Sequence, residues 1–272
     1  MIKRTEQNAI GGFNIMLTAL KVLCKTLRSI KIDVFLILKA MKFFPIYIIE
    51  KINYTQREDL ASWPVNYFPI LEDRHSESAS LGEYFWQDLF VAKKIITSNP
   101  KRHIDVGSRI DGFIAHLACS RGVEVFDIRP LSAQIENVKF TQWDITKPEG
   151  KYFSISDCVT CLHTLEHIGL GRYGDVLDSK GWEKGLASLA QLLQPEGRLW
   201  ISVPVGKQRV EFNAHRIFSP LTIIDSANKC NLNLEEFYYL EGENFNISKD
   251  WEQDMARLSQ QNYMLAIFLF KR

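Results

Sequence analysis

Several things are scarce in this 272-residue chain, and each scarcity excludes something. Its cysteines are few and odd in number: Cys24, Cys119, Cys158, Cys161 and Cys230. So scattered a set gives no disulfide framework and suits a reducing, cytoplasmic compartment. Cys158 and Cys161 form a CxxC, but on a strand they point to opposite faces and read as two small buried residues. No stretch reaches the roughly 18 uninterrupted apolar residues that a membrane-spanning helix needs. Nor is an apolar core followed by a small-residue cleavage site. A formal net charge of +1 argues against a general nucleic-acid binder. Internal repeats and low-complexity segments are also missing. What is plentiful is apolar surface: 46% of residues are hydrophobic, enough to bury a sizeable core and exclude global disorder.

The charge is unevenly distributed. Residues 1–57 carry ten Lys/Arg against Glu6, Asp33 and Glu50, net +7, and the remainder is net −6. This asymmetry divides the chain into a basic, apolar helical extension (1–60), a connector with Pro64 and Pro69 (61–80) and a globular domain (81–272). From Ile15 to Ile49 the apolar residues are interrupted by Lys21, Lys25, Arg28, Lys31, Lys39 and Lys42. Basic residues on an apolar helix are the pattern of a segment lying in a membrane interface. Residues 1–50 are therefore expected either to touch the inner face of a membrane peripherally or to pack as an amphipathic helix pair on the domain or in a dimer.

Beyond residue 80 a regular alternation begins. Apolar positions from Leu81 to Thr97 recur at helical spacing, and Asn99-Pro100 ends that helix. Strands are expected at His103–Gly107, Val123–Asp127, Val138–Asp144, Ile155–Leu162 and Arg198–Val205, with helices at Ile110–Ser120 and Trp182–Leu193. Ser219 before Pro220 fits the start of another helix, and Leu234–Leu240 and Tyr263–Phe270 are the last two strands. The fold class is therefore α/β: a doubly wound, mostly parallel seven-stranded Rossmann-like sheet with an N-terminal helical extension.

The strand ends carry the chemistry. The first runs into Asp105-Val106-Gly107-Ser108-Arg109-Ile110-Asp111-Gly112, where a glycine lets backbone approach a ligand. The second ends in Asp127, positioned for a ribose diol. The third leads to Trp143-Asp144, an aromatic and an acceptor suited to an adenine. After the fourth comes the densest stretch, Val159–Asp178, VTCLHTLEHIGLGRYGDVLD. Within it His163-Thr164-Leu165-Glu166-His167 matches the HxxEH of inverted zinc peptidases, which needs a continuous helix. A strand ending at Leu162 and glycines at 169 and 171 leave no room for one, so no metal is expected. A second cluster, Phe212-Asn213-Ala214-His215-Arg216, follows the fifth strand and is expected to face the central loop.

These residues, with LLQPEG before strand five and LEH after strand four, resemble the class I S-adenosylmethionine-dependent methyltransferases over roughly residues 80–272. The runs HTLEHIGLGRYGD, VPVG and FNAHRIFSP resemble more closely a related group defined only as a domain of unknown function, often encoded among genes for surface-polysaccharide assembly. The resemblance implies S-adenosylmethionine held by Asp105, Gly107, Ser108, Asp127 and Asp144, and a substrate mouth at His163–Asp178. One departure stands out: the family's second and third loop glycines are here Arg109 and Asp111. Arg109 is expected to point away, to fill the methionine pocket or to attract a phosphate.

Methyl transfer to oxygen needs a base, and His163 and His167 are the candidates, with Glu166 orienting one of them. Arg172, Tyr173, Asp175 and Asp178 are candidates for a polar ligand, while His215 and Arg216 lie across the cleft, Arg216 either holding an anionic group of the acceptor or bracing the crossover. The expectation is therefore methyl transfer to a hydroxyl of a glycan or sugar-linked small molecule. The alternatives are a non-catalytic scaffold in a polysaccharide-assembly complex and a fold-mate that binds another nucleotide ligand.

Overall fold

A computed structural model describes residues 23, 34–56, 66, 68–71 and 81–272. The chain divides into two units, Met1–Ser80 and Leu81–Arg272. In the first, helix α1 (Val34–Thr55) runs through Pro45 and leaves Ile37, Leu38, Met41, Phe44, Ile49 and Ile52 exposed. None of the described helices is long and apolar enough to cross a membrane. Most of the segment expected to contact a membrane, together with Cys24 and most of the connector, lies outside the described residues.

The second unit is built on one eight-stranded sheet. Its strands are β1 (His103–Val106), β2 (Val123–Asp127), β3 (Val138–Gln142), β4 (Ser156–Leu162), β5 (Leu193–Val205), β8 (Asn233–Glu241), β9 (Asn244–Ile247) and β10 (Met264–Lys271). They lie in the order β3-β2-β1-β4-β5-β10-β8-β9. The first five pair in parallel, and β10 then runs antiparallel to both β5 and β8. All seven expected strands are present. The eighth, β9, is an edge hairpin partner of β8, and a separate ribbon pairs β6 (Arg209–Glu211) with β7 (His215–Ile217). Three- and four-residue strands are too short to show a two-residue period, which is why the alternation missed them.

Both faces of the sheet are covered, so the strands read as continuous apolar runs. On one face Val159, Cys161, Ile201, Val203 and Phe268 pack beneath helices α4 (Gly181–Leu192) and α5 (Pro220–Lys229). On the other, Cys158, Leu162, Trp200, Ile267 and Leu269 pack beneath α2 (Glu83–Ser98) and α3 (Ala115–Ala118). The two cysteines of the CxxC thus fall on opposite faces, both buried and free.

Local departures have local causes. The helix expected over Ile110–Ser120 opens as a wider π-helical turn at Ile110–Ile114 before α3. Gly112 sits so close to the α2 carboxylate of Asp88 that a Cβ there would lie 2.3 Å from Oδ2. Pro220 does occupy the first turn of α5, but the Ser219 side chain makes no capping bond. A further helix, α6 (Trp251–Leu258), is capped by Asp250, whose carboxylate accepts the Gln253 N–H.

Leu186, fully buried on α4, should show how far the unit depends on this face. Leu186→Ala is expected to cost about 2–5 kcal/mol in urea unfolding. Leu177→Ala, at a side chain 66% exposed, should stay within about 0.5 kcal/mol of wild type.

Candidate active site

In an open parallel sheet, ligands bind beyond the carboxyl ends of the strands where the strand order reverses. Here that point lies between β1 and β4, and two chambers meet above it. The first is lined by Gly107, Asp127, Ile128, Trp143, Asp144 and Ile145, among others. The second, of about 880 Å³, takes Tyr84, Gln87, Asp88, Arg109 and Arg172. Gly107, Arg129, His163, His167 and Tyr173 line both, so the chambers form one cleft.

Gly107 has φ +76°, and a Cβ there would lie 2.4 Å from Thr164 Cγ2. Only glycine lets β1 and the loop after β4 approach this closely. Asp105 and Ser108, expected as cofactor ligands, are placed beneath the cleft rather than in its lining. Asp105 accepts from Ser108 N (3.0 Å), Ser108 Oγ (2.6 Å) and Thr160 Oγ1 (2.6 Å). Burial lifts its carboxyl to about 7 despite those three donors. The group ties the loop to β4.

Asp127 does reach the first chamber, but its carboxylate is held by Arg129, with Nε at 3.0 Å and Nη2 at 2.6 Å. Asp144 lines the same chamber and closes a turn by accepting from Thr146 N and Oγ1, with Lys147 Nζ at 3.1 Å. Trp143 is largely buried and packs edge-on against Phe126 and Tyr152, so its ring belongs mostly to the core. Arg109 neither fills the chamber nor stands alone. Its guanidinium forms a two-pronged pair with Asp111 at the surface, so the two residues neutralise each other.

The central loop is a single turn of 3₁₀-helix, Leu165–His167, preceded by His163 in a left-handed conformation (φ +48°). The HxxEH zinc motif would need both histidines on one face of a continuous helix, which this backbone does not form. Among the described residues no group of three or more His, Cys, Asp or Glu side chains is placed to hold a metal. Instead His163 Nδ1 donates to Glu166 Oε1 at 2.9 Å, and both side chains are almost wholly buried. Burial opposes charge on each, yet their mutual attraction prevails: it raises the His163 pKa and lowers that of Glu166. His167 Nδ1 donates to the Ala214 carbonyl at 2.7 Å, leaving Nε2 3.6 Å from Glu166 Oε1. Burial, aided by Arg172, lowers the His167 pKa. Two neighbouring imidazoles are thus pushed in opposite directions.

The rest of the loop is held by its own carboxylates and by Arg216. Asp175 accepts from the backbone N–H groups of Gly169, Gly171 and Tyr173. Asp178 pairs with Lys184. Gly169, at φ +81°, passes so close to Asp178 that a Cβ would meet its carbonyl oxygen at 2.0 Å. Arg216 is buried and donates to the carbonyls of Glu166 and Ile168, with those of Asp178 and Ser179 at longer range. These contacts brace the loop after β4 rather than the crossover after β5. His215, on the same ribbon, lies outside both chambers, with its ring 6.4 Å from His167 and 6.3 Å from Tyr263.

Sequence reading missed the α2 contribution. Gln87 and Asp88 are both buried: Ser202 Oγ donates to Gln87 Oε1, and Gln87 Nε2 donates to Asp88 Oδ1. A signal was present, because Asp88, Val91 and Ile95 fall on one helical stripe and a carboxylate inside an apolar stripe needs a reason. Arg129, two residues past the expected ribose carboxylate, was missed as well.

Residues 126–227 match a family described as Caenorhabditis protein of unknown function, DUF268. No curated protein matches. Among solved structures, the [4+2]-cyclase SpnF is similar over 68% of this chain and 79% of its own, at 11% identity and a TM-score of 0.50. A methyltransferase from Clostridium acetobutylicum that depends on S-adenosylmethionine covers 70% and 92%, at 11% identity and TM-score 0.48. The Burkholderia thailandensis 1,6-didemethyltoxoflavin N1-methyltransferase, solved with S-adenosylhomocysteine, covers 68% and 78%, at 14% and 0.47. A fold shared with a cyclase does not fix a reaction, so function has to be argued from the site. Strand order and structural likeness together give residues 81–272 the fold of the class I S-adenosylmethionine-dependent methyltransferases.

Proposed function

We propose that the cleft binds S-adenosylmethionine and that the protein methylates a hydroxyl of a sugar or sugar-linked small molecule. The observation that carries this reading is the pair of oppositely tuned histidines opening on the same cleft as Asp127 and Asp144. The residues present fit the cofactor. Asp127 stands at the end of β2, where a carboxylate can accept from a ribose diol, and Asp144 with the apolar Ile128 and Ile145 lines the wall beside it. Gly107 keeps the floor open, and Arg109 is drawn off to Asp111. When bound, S-adenosylmethionine supplies an electrophilic methyl group on a sulfonium.

The chain's own part is proton handling and orientation. His167 is the base: its Nδ1–H is committed to Ala214, so the neutral ring carries its lone pair on Nε2. Charge that develops on this ring as it takes the hydroxyl proton is met by Glu166 Oε1, 3.6 Å away. His163, whose pKa Glu166 raises, has a buried Nε2 with no hydrogen-bond partner in the protein. An orphaned buried donor is costly, and an oxygen of the acceptor would satisfy it. His163 therefore orients and His167 abstracts. The sugar class of the acceptor is supported by the density of hydrogen-bonding groups around the second chamber: Tyr84, Gln87, Asp88 and Tyr173.

Calorimetry with S-adenosylhomocysteine tests the cofactor first. Wild-type protein should bind it, and Asp127→Ala should weaken binding by about 10- to 100-fold, the range for losing a hydrogen bond to a charged group; a folded wild type that gives no heat overturns the reading. For the base, His167→Ala should lower kcat/KM by about 10²–10⁴. Because the His167 pKa is depressed, wild-type kcat/KM should hold through the ordinary imidazole range and fall only at lower pH. An acid limb that survives unchanged in His167→Ala removes the residue from this role. Arg216→Ala, by contrast, should act through the loop, lowering thermal stability by about 2 kcal/mol or more as its carbonyl partners lose their donor.

A further inference from the structure

Three arginines border the second chamber, and they differ in what they are paired with. Arg109 is neutralised by Asp111. Arg129 is bound to Asp127, the carboxylate assigned above to the cofactor's ribose. Arg172 has no ion pair with any described carboxylate, and only its Nη1 is hydrogen bonded, to the Ala214 carbonyl at 2.9 Å with the His167 ring beside it. Arg129 and Arg172 both stack on the Tyr173 ring, their guanidinium carbons 4.7 and 5.2 Å from its centre. The same ring stands edge-on to His167 at 5.7 Å. A ligand group held by both arginines would therefore lie beside the base.

We propose that Arg129 and Arg172, stacked on Tyr173, form a clamp for an anionic group, phosphate or carboxylate, on the acceptor, and that the clamp is completed when Asp127 exchanges Arg129 for the cofactor's ribose. The inference rests on the cofactor reading above and extends it to the acceptor's charge and to the order of binding. Its physical basis is competition for one carboxylate. Asp127 cannot give both oxygens to the Arg129 fork and also accept fully from a diol. Once released, Arg129 is a second unpaired guanidinium on the ring that already carries Arg172, and two forks in such a place suit phosphate or carboxylate. Cofactor and anionic acceptor then favour each other's binding, because linkage is reciprocal.

The test is calorimetry on the full chain, titrating sodium pyrophosphate, glucuronate or glucose with and without saturating S-adenosylhomocysteine. At least one anion should bind about tenfold tighter in its presence, within the usual range of coupling, and glucose should not. A gain for pyrophosphate identifies a phosphate-bearing acceptor, and a gain for glucuronate a carboxylate. Arg172→Ala should abolish the gain without changing affinity for S-adenosylhomocysteine. Asp127→Asn, which weakens the hold on Arg129, should raise anion affinity in the absence of cofactor while lowering cofactor affinity. If S-adenosylhomocysteine binds but neither anion gains, or the gain persists in Arg172→Ala, the clamp is wrong and the cofactor reading stands. If S-adenosylhomocysteine does not bind, the cofactor reading fails and the coupling falls with it.

Discussion

Glu166 lies fully buried between two histidines, and an ionised carboxylate survives in such a place only when it is closely paired. Its partner, His163, meets that charge through a 2.9 Å hydrogen bond, and the charge raises the His163 pKa against burial. The same carboxylate stands 3.6 Å from the second imidazole, which burial and Arg172 keep neutral. One buried charge thus sits between two chemically identical side chains whose pKa values are pushed in opposite directions. Removing it would leave His163 without the charge that supports its proton.

The loop that carries this triad holds its shape through polar contacts rather than through a helix. Asp175 gathers three backbone N–H groups, Arg216 gathers carbonyls from both ends of the loop, and Gly169 lets the chain pass against Asp178. Arg216 reaches it from the β6–β7 ribbon, which also brings the Ala214 carbonyl to His167 Nδ1. The run FNAHR therefore matters chiefly through its backbone and its arginine, and His215 stays at the periphery. The family match over residues 126–227 spans both the loop and the ribbon, the two pieces that build this half of the cleft.

Where the sequence departs from the usual methyltransferase loop, the structure supplies a compensation. Arg109 and Asp111 face each other at the surface, and the backbone room they would deny is kept by Gly107 and Gly112. Gly112 serves a purpose beyond the turn, since the Asp88 carboxylate of α2 occupies the space its side chain would take. Asp88 is linked through Gln87 to Ser202 on β5, and the Ser202 carbonyl and hydroxyl both accept from the His163 N–H. A continuous polar path therefore joins the helix before β1 to the histidine after β4.

The α/β class, the seven main strands and the sheet edge where polar side chains collect were all legible in the residues alone, because period and apolar runs follow from local geometry. The expectation that HxxEH lacks the helix of a zinc peptidase also came from sequence, since glycines 169 and 171 and the preceding strand leave little room for one. What the sequence left open was which way each side chain turns. Asp127 ends β2 and Asp105 lies one residue before the end of β1, yet Asp105 is buried beneath the cleft and Asp127 lines it. Arg216 was equally fit to bind an acceptor or to brace the fifth crossover, and in the folded chain it donates instead to carbonyls of the loop after β4. His163 and His167 look alike in the sequence, and only Glu166, Ala214 and Arg172 around them give the two rings different surroundings. A pKa is set by burial and by charges within a few ångströms, and residues from α2, β4 and the ribbon meet at that distance only in the folded chain.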